Sequence, residues 1–217
     1  MTPALLVLGA YVLGATPTSY WVASWIYGID LREEGSGNLG ATNTLRVLGV
    51  RAAIPVMIID ILKGWLPVSL FPLLAGTGDP RWVLAYAGAA ILGHVFSFWV
   101  RFRGGKGIAT SAGALLGLAP LAVLLSLGVW LAVLALTRIV SLASLSSAVA
   151  LPAGVLLFDH SGGEALLPFA AVLTTFAFWT HRANLGRLLR GEEQRISRGT
   201  VATSGDGVAP VVPGSGE

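Results

Sequence analysis

Apolar stretches long enough to cross a bilayer recur along this chain with only short polar segments between them, and that repetition constrains the fold more than any motif. They lie near residues 4–26, 47–75, 81–100, 107–137, 139–158 and 165–181. A helix of about 20 apolar residues spans a hydrocarbon core of about 30 Å. Lipid supplies no hydrogen-bond partners, so a crossing segment must satisfy its own backbone. Charged residues make up 12% of the sequence and the mean hydropathy is +0.76, whereas a soluble domain carries roughly twice that charged fraction. The chain is expected to be an all-α, polytopic membrane helical bundle.

The stretch 107–137 is too long for one crossing. Its 31 residues reach about 46 Å as a helix, and Pro120 favours a break inside it. Division into 107–118 and 121–137 makes seven transmembrane segments. With the N-terminus outside and the C-terminus cytoplasmic, the inner loops collect Arg32, Arg46, Arg51, Arg101, Arg103, Lys106, Arg138, Arg182, Arg187, Arg190, Arg195 and Arg198. Those are twelve of the fourteen basic residues, with Arg81 outside and Lys63 within a span. The positive-inside rule favours seven crossings over six. The outer connections AGTGDP and DHSGGE read as plain turns, and the unusual polar segments all fall on the cytoplasmic side.

The net charge of +3 is accounted for by topology and points to no nucleic acid. Absence of cysteine excludes disulfides, thiol nucleophiles and thiolate metal sites. The opening MTPALLVLGAYVLGATP has no basic region before its apolar run and reads as a first span, not a signal peptide. Residues 1–195 are expected to form a single integral membrane domain. The Gly-, Ser-, Pro- and Val-rich residues 196–217 are expected to be a flexible tail.

Three polar segments carry the chemistry. GSGNLGATNTLR, residues 35–46, reads as a loop. Its Ser36, Asn38, Thr42, Asn43 and Arg46 form a candidate oxyanion cradle. RGGKG, residues 103–107, combines Gly104, Gly105 and Gly107 with the Lys106 ammonium ahead of a helix start, a physical anion site. It lacks the Walker A pattern; the plainer reading is a basic topology anchor. In HRANLGRLLRGEE, residues 181–193, His181 and Asn184 share a helix face, with Arg187 one step further on. They either position a substrate or belong to an interfacial amphipathic helix. His94 is either a hydrogen-bond partner between helices or a group beside the substrate. Asp60 and Lys63, three apart, can pair as a structural unit or as support for a site. Trp82, Trp99 and Trp179 fall near membrane interfaces, where tryptophan is ordinarily found. A transporter for a phosphorylated solute is the competing class, but no internal repeat is present and the polar segments gather on one face.

SGNLGATNTLR, GHVFSFWVRFRGGKGIAT and HRANLGRLLRGEE, in this order and spacing, resemble the bacterial PlsY family of acyl-phosphate:glycerol-3-phosphate acyltransferases. The resemblance covers nearly all of the chain before about residue 198. It implies acyl transfer from acyl phosphate to the sn-1 hydroxyl of glycerol 3-phosphate at the cytoplasmic face of the bacterial inner membrane. The products are lysophosphatidic acid and phosphate, the first step of phospholipid synthesis. No metal, cofactor or acyl-CoA donor is implied, and functional coupling to the enzyme that makes acyl phosphate is. On this resemblance Ser36, Lys106, His181 and Asn184 are the expected catalytic residues. Asn38, Thr42, Asn43, Arg46, His94, Gly104, Gly105, Gly107 and Arg187 are expected to bind phosphate or substrate.

Overall fold

A computed structural model describes residues 1–196 as ten α-helices joined by short connections. Apart from Ile196, the expected flexible tail lies outside the described residues. The first apolar segment is interrupted. Helix α1 (Pro3–Gly14) stops before Pro17, which has no N–H to donate and crowds the preceding turn. Helix α2 (Thr18–Trp21) then resumes and runs into a π-helical turn, Val22–Ile26. The break frees two carbonyls. Ala15 accepts from the Ser97 hydroxyl, and Thr16 accepts from Lys63 Nζ at 2.8 Å.

The segment 35–46 is only partly a loop. Helix α3 (Ala41–Leu48) begins inside it and is amphipathic, so Thr42, Asn43 and Arg46 are helical. Gly49, at φ 81°, separates α3 from α4 (Val50–Ala75), which shortens the expected 47–75 span at its start. Helix α5 (Pro80–Val95) follows an Asp79 cap whose carboxylate accepts from the Arg81 amide. The long fourth stretch divides as the proline spacing predicts, into α6 (Ile108–Leu116) and α7 (Pro120–Thr137), with Pro120 at the first turn of the second helix. Helices α8 (Val140–Leu157) and α9 (Leu166–Thr180) complete the bundle, and the amphipathic α10 (Arg182–Leu189) leaves it at His181.

Among the described residues, five helical stretches are long and apolar enough to cross a membrane: Pro3–Ile26, Val50–Ala75, Pro80–Val100, Pro120–Thr137 and Val140–Leu157. Helix α9 has 15 residues, about 22 Å, and α6 has nine, about 14 Å. Helix length therefore marks five of the seven segments expected from the sequence as full crossings.

Apolar attraction is weak between helices already in lipid, so close backbone approach has to hold the bundle together. The α1–α5 crossing places Gly14 on the Ala90 backbone and Gly93 on the Tyr11 carbonyl. In the α4–α6 crossing Gly64 meets the Thr110 carbonyl and Gly113 meets the Ile61 carbonyl. Gly154 of α8 rests on Ala122 of α7. Around these contacts Ile91, Leu115, Leu118, Leu151, Val155 and Leu166 form the largest buried cluster. Gly113→Val puts its branched side chain into the α4 backbone and is expected to cost about 1–3 kcal/mol. Thermal unfolding of the purified protein in detergent measures this; an unchanged midpoint contradicts the crossing.

Candidate active site

The site forms where α3, the α5–α6 connection and the start of α10 converge. The α5–α6 connection doubles back on the helix it leaves. Arg101 and Phe102 adopt left-handed backbone, at φ 55° and 60°, and reverse the chain. The amides of Gly104 and Gly105 then donate to the Val95 and His94 carbonyls at 3.0 and 3.2 Å. These two amides therefore close the end of α5 and are not free for an anion, which corrects the simple reading of RGGKG as a glycine cradle. Among the described residues, the amides from Lys106 to Ala109 have no backbone acceptor. They form the positive end of α6, with Gly107 at φ 84° as its cap.

Glycine at 105 is required by its neighbours. A Cβ there collides with the His94 imidazole and with the Leu39 carbonyl. The first polar segment thus packs directly on the second. Asn43 is buried and holds that segment's shape. Its side-chain oxygen accepts from the Ser36 amide at 2.8 Å, and its amide donates to the Leu31 and Glu34 carbonyls at 3.3 and 3.0 Å. The structure therefore gives Asn43 the work of bracing the loop, with its polar atoms engaged internally. Ser36 is exposed, while Asn38 and Thr42 are half-buried. His94 is buried behind the glycine loop, with Nδ1 turned toward Asp60 at 3.7 Å. That separation is longer than a hydrogen bond, and His94 Nδ1 has no hydrogen-bond partner among the described residues.

The third segment closes the site. Lys106 Nζ donates to Asn184 Oδ1. Thr180 donates to the Lys106 carbonyl at 3.3 Å, so the end of α9 also grips the loop. Asn184 is buried, and its Nδ2 donates to Glu193 Oε1 at 2.6 Å. Ser141 donates to the same oxygen at 2.8 Å, and Arg187 Nε donates to Oε2 at 2.6 Å. Burial opposes ionisation of Glu193, but the hydrogen bonds from Asn184, Ser141 and Arg187 outweigh it and hold the carboxyl below its ordinary pKa. Glu193 was absent from the residues expected from sequence. It lies four residues beyond the end of α10, where helical spacing gives no signal. Its signs in the sequence are its place at the end of the string HRANLGRLLRGEE and a carboxylate pair within an arginine-rich stretch.

Arg46, Lys106 and Arg187 lie within electrostatic reach of one another and of Glu193. Three cations face one carboxylate, which leaves an excess of positive charge at the open end of α6. Burial pulls the Lys106 ammonium down to about 8, helped by the neighbouring Arg187 and Arg46 and opposed by Glu193. His181 is buried in the turn between α9 and α10, and burial together with the Lys106 charge lowers it to about 4. Its Nδ1 is 2.8 Å from the Ala177 carbonyl. A carbonyl can only accept, so Nδ1 carries the proton and Nε2 presents a lone pair. Beside the site, Leu142, Leu145, Val149, Phe178, Leu185 and Leu188 line an open apolar groove of about 470 Å³.

Apolar helices with Arg46, Lys106 and Arg187 gathered at one end define the class, a multi-pass integral membrane protein. The profile of the glycerol-3-phosphate acyltransferase family matches residues 4–191. A glycerol-3-phosphate acyltransferase of Synechococcus sp. (strain JA-2-3B'a(2-13)) is 46% identical over 198 residues, 91% of this chain and 96% of the relative. The enzyme of that name from Desulforamulus reducens is 40% identical, over 91% of this chain and 97% of the relative. The crystal structure of PlsY (YgiH), an integral membrane glycerol 3-phosphate acyltransferase, in its glycerol 3-phosphate form superposes with a TM-score of 0.81 at 34% identity, covering 90% of this chain and 96% of that one. Its lysophosphatidic acid form superposes at 0.80 and 33% identity, over 92% and 97%. The chain belongs to the PlsY family of glycerol-3-phosphate acyltransferases.

Two outcomes are expected from this geometry. Sulfate, whose charge is constant over this range, is expected to bind best while Lys106 is an ammonium, with a Kd that rises as pH increases through about 8; titration calorimetry at pH 7 and 9 measures the change, and Lys106→Ala is expected to flatten it. Glu193→Ala leaves Asn184 and Arg187 without their shared acceptor and is expected to cost about 2–5 kcal/mol, seen as a lowered unfolding midpoint.

Proposed function

We propose that this protein transfers a fatty acyl group from acyl phosphate to the sn-1 hydroxyl of glycerol 3-phosphate, releasing lysophosphatidic acid and inorganic phosphate. The observation that carries this reading is the excess positive charge of Arg46, Lys106 and Arg187 around one carboxylate at the free amides of α6. It is supported by a relative that bears glycerol 3-phosphate in one crystal form and lysophosphatidic acid in another. The chain crosses the bacterial inner membrane seven times, with its N-terminus outside and its C-terminus and active site cytoplasmic. The phosphorylated acceptor then arrives from water while the acyl chain stays in lipid.

In this mechanism the donor phosphate lies against the α6 amides and Lys106, with Ser36 and Arg46 completing the phosphate contacts. The acyl chain follows the apolar groove beside α10. The acceptor hydroxyl oxygen bonds to the acyl carbonyl carbon, whose oxygen takes up negative charge opposite fixed hydrogen-bond donors. Collapse of that intermediate breaks the bond to the phosphate oxygen. The hydroxyl proton ends on the departing phosphate. The phosphate oxygen released from the anhydride carries the full leaving-group charge, so it is a better proton acceptor than an imidazole lowered to about 4. His181 Nε2 accepts a hydrogen bond from the neighbouring sn-2 hydroxyl and so orients the acceptor, leaving the sn-1 proton to the phosphate, and Asn184 holds Lys106 and the glycerol end.

Phosphate release by purified protein in a lipid matrix tests the reaction. Release is expected with acyl phosphate only when glycerol 3-phosphate is present, with lysophosphatidic acid formed in equal amount and nothing formed from acyl-CoA. Uptake of labelled glycerol 3-phosphate into vesicles without acylation would instead indicate a transporter. For the base, His181→Ala is expected to raise KM for the acceptor while kcat at saturation falls less than about tenfold; a loss of about 100-fold or more would assign the proton to imidazole. Because the chain has no cysteine, single substitutions report topology cleanly. Glu34→Cys is expected to label from the cytoplasmic side and His160→Cys from the outside.

A further inference from the structure

Behind the glycine loop lies a buried group of charges separate from the Lys106, Asn184 and Glu193 network and from the apolar groove. Lys63 Nζ is 2.7 Å from Asp60 Oδ1, and both side chains are 3% exposed. The same ammonium donates to the Thr16 carbonyl in the break between α1 and α2. Asp60 in turn faces His94 Nδ1 at 3.7 Å. Asp60, Lys63, His94, Thr16, Thr18 and Gly105 border a cavity of about 10 Å³, room for a water molecule at most. No phosphorylated substrate fits there, so these side chains do not contact one. Nor does a buried ion pair account for itself as stabilisation, since apolar residues of similar volume commonly serve as well. What such a pair does offer is direction.

His94 holds the loop from two sides. Its carbonyl accepts the Gly105 amide at 3.2 Å, and its imidazole abuts Gly105 closely enough that a Cβ is excluded. The next residue after Lys63 on α4, Gly64, packs on the Thr110 carbonyl at the start of α6. One stretch of α4, residues 60–64, therefore contacts what flanks the loop before and after Lys106. We propose that Asp60, Lys63 and His94 form a buried polar node that positions the Gly104–Lys106 loop for binding substrate phosphate, without touching substrate. This rests on the assignment of Lys106 to substrate phosphate made above.

The test uses the full-length enzyme in a lipid matrix with three changes: His94→Asn, His94→Gln and the charge-neutral double substitution Asp60→Asn with Lys63→Gln. Amide hydrogen exchange is read over residues 101–107, alongside steady-state kinetics for both substrates. Exchange at Gly104 and Gly105 is expected to quicken about tenfold in His94→Asn and in the double variant, with KM for glycerol 3-phosphate up about tenfold and kcat within about threefold. His94→Gln, whose amide still fills the space beside Gly105, is expected to recover most of both effects. Unchanged loop exchange with unchanged KM overturns the proposal, as does a rate that falls only in proportion to folded protein. Should His94→Asn fail to fold, the double variant and His94→Gln decide by the same readings. Lys106→Ala separates the two ideas: if it leaves both KM values unchanged the phosphate assignment fails, while loop exchange still decides whether the node positions the loop.

Discussion

The Lys106 ammonium has to be held within an apolar bundle without a carboxylate directly on it, and the rest of the site depends on how that is done. An unpaired buried charge is too costly to persist. A direct carboxylate partner would neutralise it. Here the partner is neutral: the Asn184 oxygen accepts from Lys106, and the Asn184 nitrogen passes the demand on to Glu193. Glu193 also takes hydrogen bonds from Arg187 and Ser141. One carboxylate thus orders several donors from a distance and leaves positive charge in excess where the α6 amides open.

The same economy appears in the backbone. A membrane offers nothing to a broken helix, so each interruption must find a partner within the protein. The carbonyls freed at Pro17 are taken by Ser97 and Lys63, and the end of α5 is closed by the amides of Gly104 and Gly105. Irregular backbone and buried polar side chains therefore occur together. They collect around the glycine loop, while the helix faces turned outward carry large apolar residues such as Leu124, Leu131, Leu156 and Val172.

Much of the architecture was legible in the sequence because bilayer thickness and proline chemistry act locally. The break before Pro120 and the Asp60–Lys63 pair at i, i+3 follow from spacing alone, and both are present. The division of the first segment at Pro17 was not anticipated, because the apolar run 4–26 continues through it. The residues of the three polar strings were also identifiable by type. Their division of labour was not, because it depends on which polar atoms meet after folding. Asn43 and Arg46 sit three apart on one short helix, yet one braces the loop internally while the other is half-buried near Arg187 and Glu193.

By itself the sequence determined an all-helical membrane bundle, the break before Pro120, and the residue types of three polar strings. Hydrophobic length, proline and charge bias are properties of short segments, so no distant contact is needed to read them. Only the tertiary structure decided that the Gly104 and Gly105 amides are spent on α5, that His94 faces Asp60, and that Glu193 organises Asn184 and Arg187. Those outcomes join residues from separate helices and connections. Hydrogen-bond pairing across such distances is settled by how the helices pack, and no spacing along the chain encodes it.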